Sequence, residues 1–187
     1  MNDNAQTLQA TASDVAKYML DKKGSLTGYQ IQKLLYYCQA WSMVVNGRPL
    51  FLDEIQAWEH GPVVPSVSRQ HQHLRMVYAH SITGDASRLC LEDQRLIDAV
   101  LATYGVMSGD DLEHLTHNES PWANAYNGHT GSGAAVIERN AMAAYYSGLY
   151  ASPENVRKDH CVPRFDHPRN LYVKDSDFLW LLDYLED

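Results

Sequence analysis

The sequence has few of the features that mark secreted, membrane-spanning or metal-binding proteins. Its three cysteines, in 187 residues, are widely spaced and form no C-x-x-C pair. This spacing argues against a disulfide scaffold or a cysteine zinc site and is typical of a reducing compartment. The N-terminus is polar, without the basic and apolar parts of a signal peptide, and no apolar run is long enough to span a bilayer. We therefore expect a cytoplasmic protein with no membrane partner.

Positive charge is also scarce. The chain has 15 Lys and Arg against 23 Asp and Glu, a net charge of −8, and no cluster of Lys and Arg. Because an acidic surface repels phosphate backbones, the composition argues against nucleic acid as a partner. A DNA-binding autoregulator is kept as an alternative, although the sequence contains no basic recognition helix. Hydrophobic residues, at 45%, suffice for a globular core.

Signatures of common catalytic sites are missing as well. There is no phosphate-binding glycine loop, no Gly-x-Ser-x-Gly turn and no cysteine with a recognisable base nearby. Two imidazoles and a carboxylate at His114, His117 and Glu119 could bind a metal, which keeps a metal-dependent enzyme as an alternative. Their spacing matches no zincin motif. We favour a structural role, in which His117 and Glu119 fix Trp122 against the core, and we expect no catalytic residue, metal or cofactor.

The periodicity of apolar residues predicts a mainly α fold. We expect a compact domain of about six to eight helices around a central apolar helix, with one or two short extended segments. The central helix begins at Thr27 and ends at Asn46-Gly47. The other predicted helices start near Ser13 and Asp14, at Pro65 (ending at about Leu74), after Glu92-Asp93, at a Ser108–Asp111 capping box, at Ser120-Pro121 and near Glu138. The extended segments span 55–60 and 134–137.

The chain divides into three parts by pattern. Residues 1–12 are predicted to be a disordered or loosely docked N-terminus. Residues 13–150 form the helical domain. Residues 151–187 form a C-terminal extension that is irregular over 151–170, contains three prolines, and ends in a short helix capped near Ser176. We expect this extension to dock on the same domain.

A rigid corner is predicted at residues 58–65, WEHGPVVP. Two prolines restrict the backbone there, and Gly61-Pro62 is a turn signal. The chain also has 12 tyrosines, with pairs at Tyr36-Tyr37 and Tyr145-Tyr146. Tyrosine suits both an interface anchor and a half-buried position in a helical domain, and composition alone leaves the two open.

Four sequence blocks, in order, carry a family resemblance. Residues 32–41, QKLLYYCQAW, resemble the "KLLYYAQAW" helix of the Panacea domain family, which is also called SocA-like or GepA-like. Residues 47–51, GRPLF, resemble its "G-x-PLF", and residues 55–65 resemble its "EAW-x-x-GPVVP". Residues 115–122, LTHNESPW, are similar to its "LTH-x-E-x-PW". The resemblance covers about residues 13–150, and Ser68 stands where the family commonly has tyrosine.

The resemblance implies a non-enzymatic, protein-binding antitoxin. Members of the family neutralise a cognate toxin by direct contact, and the SocA-type member also delivers its toxin to a protease. The tyrosines and the net negative charge would suit a basic toxin surface. The resemblance leaves open whether its motif residues touch a partner or build the fold. The candidate partner-binding or motif residues are Tyr36, Tyr37, Trp41, Trp58, His60, Gly61, Pro62, Val64, Pro65, His117, Glu119, Pro121 and Trp122.

Overall fold

The computed structural model describes residues 9–165, which contain eight α-helices and four short β-strands. The helices are α1 (Ala12–Lys23), α2 (Gly28–Val45), α3 (Pro65–Ser68), α4 (Leu91–Thr103), α5 (Gly109–His117), α6 (Ser120–Ala125), α7 (Arg139–Ala151) and α8 (Glu154–Asp159). The strands are β1 (Ser25–Leu26), β2 (Gln56–Trp58), β3 (Gly61–Val63) and β4 (Val77–Tyr78). The prediction of a compact, mainly α domain is confirmed. Across these residues no helix has both the length and the apolar character needed to cross a bilayer.

Helix α2 is the centre of the fold, as its sequence predicted. Every residue from 31 to 42 is buried, and α4, α5 and α7 pack around it. Thr27 caps its first turn, because the Thr27 hydroxyl accepts from the backbone N–H of Gln30 and the Gln30 side chain accepts in return. A helix that is apolar around its girth is stable only when neighbours cover it on all sides.

Two buried glutamines of α2 hold neighbouring loops in place. The side chain of Gln39 accepts from the N–H of Leu50 at 2.9 Å and donates to the carbonyl of Phe51 at 3.0 Å. The oxygen of Gln32 accepts from the N–H of Val64 at 2.7 Å, and its nitrogen lies 2.8 Å from Nε2 of His71. Since buried backbone groups need partners, α2 fixes the paths of these segments.

The start of α1 differs from the prediction. Its N-cap is Thr11, whose hydroxyl accepts from the N–H of Asp14 at 3.3 Å while the Asp14 carboxylate accepts from the N–H of Thr11 at 2.8 Å. Asp14 is therefore the third helical residue of a capping box, and Ser13 lies inside the helix. The predicted box of Ser108 and Asp111 at the start of α5 is confirmed.

Further differences concern three helix boundaries and one added helix. Helix α4 begins at Leu91, so Glu92 and Asp93 lie in its first turn and not before it. Helix α3 ends at Ser68 and not near Leu74, since His71 turns inward to Gln32 and His73 has a φ of +67°. Glu119 rather than Ser120 is the N-cap of α6. Within 151–170, predicted to be irregular, α8 follows Pro153. The helix predicted near Ser176 lies outside the described residues, and the three-part division of the chain stays a prediction.

Candidate protein-binding groove

The predicted corner at residues 58–65 is a tight β-hairpin. Strands β2 and β3 are antiparallel, with Trp58 opposite Gly61, and Glu59-His60 form the turn. Trp122 braces the hairpin from α6, because its Nε1 donates to the carbonyl of Trp58 at 3.0 Å. The family block that contains Trp122 thus supports the block that contains Trp58.

Gly61 and Lys33 are packed against each other at the base of the hairpin. Gly61 has a φ of +97°, and a Cβ added there would lie 2.8 Å from Cε of Lys33 and 3.0 Å from Oγ1 of Thr116. The Lys33 side chain is almost fully buried, with 1% of the residue exposed, and its ammonium group donates to the carbonyl of His60. Only glycine combines this backbone conformation with so close an approach.

We expect Gly61→Ala to lower the free energy of unfolding by about 2–4 kcal/mol, through backbone strain and displacement of Lys33 from the His60 carbonyl. Gly128→Ala is the matched control. Gly128 has a φ of +81° but nothing within 4 Å of an added Cβ, so its cost should be that of the backbone alone, about 1–2 kcal/mol. Urea unfolding of both variants measures the difference, and equal losses would contradict the packing role of Gly61.

A groove of about 600 Å³ opens beside the hairpin. Its walls are the hairpin, the first turns of α2 and α5, and the loop at residues 71–75. Tyr29 and Leu74, 49% and 44% exposed, are large apolar side chains in these walls. We define the groove by the residues used below, which are Tyr29, Lys33, Trp58, His60, Leu74 and Arg75.

His60 links the groove to a smaller cavity of about 420 Å³ next to α5. Its Nδ1 lies 3.0 Å from a carboxylate oxygen of Glu113, and its ring meets that of Tyr29 edge-on at 5.6 Å between centroids. Both cavities share Tyr29 and His60. The exposed imidazole is therefore held in one orientation at the junction of two concave surfaces.

The proposed metal ligands His114, His117 and Glu119 do not come together. His117 stacks on Trp122, with ring centroids 3.9 Å apart and planes 10° from parallel. Glu119 instead faces the core, where it accepts from the hydroxyls of Tyr37 at 3.2 Å and Tyr146 at 2.5 Å. Between residues 9 and 165 no group of three or more His, Cys, Asp or Glu side chains is placed to hold a metal.

Burial sets the protonation of these two residues. Burial lowers the pKa of His117, which favours the neutral ring. Burial raises the pKa of Glu119 to about 8, because the loss of hydration disfavours the carboxylate more than the two tyrosine hydroxyls stabilise it.

The other candidate residues divide between core and groove. Tyr36, Tyr37 and Trp41 are 0% exposed, and Tyr37 stacks on Tyr104 with centroids 4.0 Å apart. They belong to the core around α2 and present no surface. The candidates in β3 and at the starts of α3 and α6 are buried or half-buried, and they are Gly61, Pro62, Val64, Pro65, Pro121 and Trp122. Of the candidates, Trp58 and His60 line the groove.

Four groove residues were not among the candidates. Lys33 had a signal in the sequence, because a lysine inside a helix that is apolar around its girth must be buried with a partner. Tyr29, Leu74 and Arg75 had none, since they belong to a helix start and an irregular loop whose pattern does not indicate which side chains meet.

The comparisons with known proteins identify the family of this chain. The sequence model of the family described as "Antitoxin SocA-like, Panacea domain" matches residues 31–123, which include the hairpin and the block around Trp122. Antitoxin SocA of Caulobacter vibrioides (strain NA1000 / CB15N) is 32% identical over 144 residues, or 68% of this chain and 76% of that protein. No solved structure matches the chain significantly. The chain therefore belongs to the SocA-like antitoxin family that is defined by the Panacea domain.

Proposed function

We propose that this protein is an antitoxin that neutralises a cognate toxin by direct protein–protein contact, and that the groove is the contact surface. The observation that carries the proposal is the position of exposed apolar side chains beside the hairpin. Tyr29 and Leu74 are about half exposed, and both line a concave surface that lies largely within the matched residues. Exposed large apolar side chains grouped around a concavity are typical of binding sites.

The groove is preformed, which suits binding without a large ordering cost. The polar side chains behind it are engaged in holding the backbone, with Gln32 bonded to Val64 and Lys33 to the His60 carbonyl. His60 is held by Glu113. A rigid aromatic such as Tyr29 on such a support loses little conformational entropy on binding.

The compartment that we propose is the cytoplasm. Cys38, Cys90 and Cys161 are all unpaired, as expected where thiols stay reduced. Cys38 is buried in α2, and burial raises the pKa of its thiol, so it is an inert core residue. In the cytoplasm this protein could bind a toxin that acts inside the cell before the toxin reached its target.

The test is relief of toxicity in cells that express the gene adjacent to this one. We expect the wild-type chain to restore growth and Leu74→Asp to lose most of this protection, because a carboxylate in the apolar wall opposes burial by a partner. Val106→Asp is the matched control, since Val106 is 77% exposed and outside the groove, and it should protect like wild type. An adjacent gene that is not toxic, or toxicity that the wild type fails to relieve, would overturn the proposed function.

A further inference from the structure

The groove has a small local excess of positive charge in an acidic protein. The whole chain has a net charge of −8, yet the groove lining contains two cations, Lys33 and Arg75, against one acid, Asp110. Three imidazoles, of His60, His71 and His73, add hydrogen-bonding groups. Because charge complementarity sets specificity at interfaces, a lining of this sign selects for negative charge in the occupant.

Lys33 has unused hydrogen-bonding capacity in this lining. An ammonium group has three N–H donors. In the described part of the chain its one hydrogen bond is to the carbonyl of His60, and the ring of Tyr29 lies 5.4 Å from Nζ. Attraction to Glu113 offsets only part of the cost of burying the Lys33 ammonium group. Glu113 is also engaged elsewhere, since its carboxylate lies 3.0 Å from Nδ1 of His60. A buried ammonium in this situation gains from a further acceptor.

One helix start adds to the preference for negative charge. The first turn of α2, at Gly28, lines the groove and contains no acidic residue. The N-terminal end of a helix presents backbone N–H groups and a partial positive charge. The first turn of α5 also lines the groove, but its two acids, Asp110 and Asp111, cancel this preference there.

We propose that the groove recognises an acidic side chain of the toxin, an Asp or Glu that enters between Lys33 and Arg75 while a neighbouring apolar side chain of the same segment packs on Tyr29 and Leu74. This inference rests on the proposed antitoxin function. The groove would recognise one acidic side chain of the toxin, and the surrounding toxin surface need not be acidic. The remaining acidic exterior of the chain would repel a uniformly acidic toxin, and it agrees with a partner that is basic elsewhere.

The probe is the purified product of the adjacent gene, once its toxicity and its relief by the wild-type chain are established. Arg75→Glu is expected to weaken its binding at least about tenfold, since the reversed charge repels the entering carboxylate. Arg95→Glu is the control, because Arg95 is also exposed, lies outside the groove, and changes the net charge equally. It should bind within about twofold of wild type.

Lys33→Met tests the buried side of the groove. Methionine keeps the apolar volume and removes the charge, so the fold should be retained, which thermal unfolding checks. We expect at least about tenfold weaker binding. Each Asp and Glu of the toxin is then replaced in turn by Asn or Gln. One of these changes should weaken binding to the wild type and have little further effect on binding to Lys33→Met, because the two partners form one interaction.

The outcomes separate this inference from the function on which it rests. If the wild-type chain relieves toxicity but Arg75→Glu and Lys33→Met bind as tightly as Arg95→Glu, acid recognition is wrong while the antitoxin function stands. Coupling of Lys33 to none of the acidic residues would likewise overturn it. So would competition by inorganic phosphate at millimolar concentration without any coupling, which would make the groove an anion site for a small molecule.

Discussion

Replacing Trp41 by alanine is expected to lower the free energy of unfolding by about 3–5 kcal/mol, which is much of the total stability of an ordinary domain. Trp41 is 0% exposed on α2, and its Nε1 donates to the hydroxyl of Tyr104 at 3.2 Å. Its ring contacts those of Tyr146 at 5.0 Å and Phe165 at 5.6 Å between centroids. Alanine would leave a cavity where α2, α4 and α7 meet, and the Tyr104 hydroxyl would lose its partner.

The matched control for this change is Tyr29→Ala, which removes another aromatic ring from the same helix. Tyr29 is 49% exposed, so its loss should cost under about 1 kcal/mol of stability while weakening toxin binding. Urea unfolding, followed by far-UV circular dichroism, measures the free energy of unfolding of both variants. A Trp41→Ala protein as stable as Tyr29→Ala would show that α2 is not the centre of the core.

Replacing Glu119 by glutamine is expected to remove a pH dependence of several kcal/mol from the stability. The pKa of Glu119 is about 8 in the folded protein, against 4.5 for an unperturbed glutamate. Between these values the folded state holds a proton that the unfolded state has released. The contribution of Glu119 is therefore fully present below about pH 4.5, falls as the pH rises, and is lost once the pH passes about 8. Each unit of pKa corresponds to about 1.4 kcal/mol, so the change is of the order of 5 kcal/mol.

Glutamine at 119 keeps an acceptor for Tyr146 or Tyr37 and cannot ionise. Relative to wild type, Glu119→Gln should gain stability progressively from pH 5 to pH 8.5, measured by urea unfolding at each pH. Taking the difference from wild type cancels the titration of other groups, including Lys33, whose pKa burial lowers to about 8. Glu59→Gln, which makes the same change at an exposed position of the hairpin turn, is the matched control. A difference from wild type that does not change with pH for Glu119→Gln would contradict the buried, protonated state of Glu119.

The sequence predicted the helices well because burial and capping leave local signals. Three signals depend on residues within a few positions of one another. They are the apolar residues on all sides of α2, the Thr27 cap and the Ser108–Asp111 capping box. Where the prediction failed, a distant contact had decided the structure. Helix α3 stops early because His71 pairs with Gln32, which lies 39 residues away, and no periodic pattern encodes that pairing.

The candidate site was predictable only in part. The hairpin was expected as a rigid corner, the family motif indicated Trp58, and His60 was a candidate in the same segment. Tyr36, Tyr37 and Trp41 were equally good candidates on residue type, and only the fold shows that they are buried. Conversely, Leu74 and Arg75 follow an irregular loop, and their meeting with Tyr29 depends on how that loop packs against two helix starts. Most of the family motif positions in this chain support the groove and do not line it.

The most direct test of the account is a titration of toxin activity with this protein at several incubation times, using the product of the adjacent gene. An antitoxin that acts by contact removes activity in proportion to the amount added, reaches an end point near a fixed molar ratio, and gives the same curve after minutes and after hours. We predict this result. A small molar fraction of the chain that inactivates all of the toxin, and more of it with time, would show turnover and would contradict neutralisation by binding.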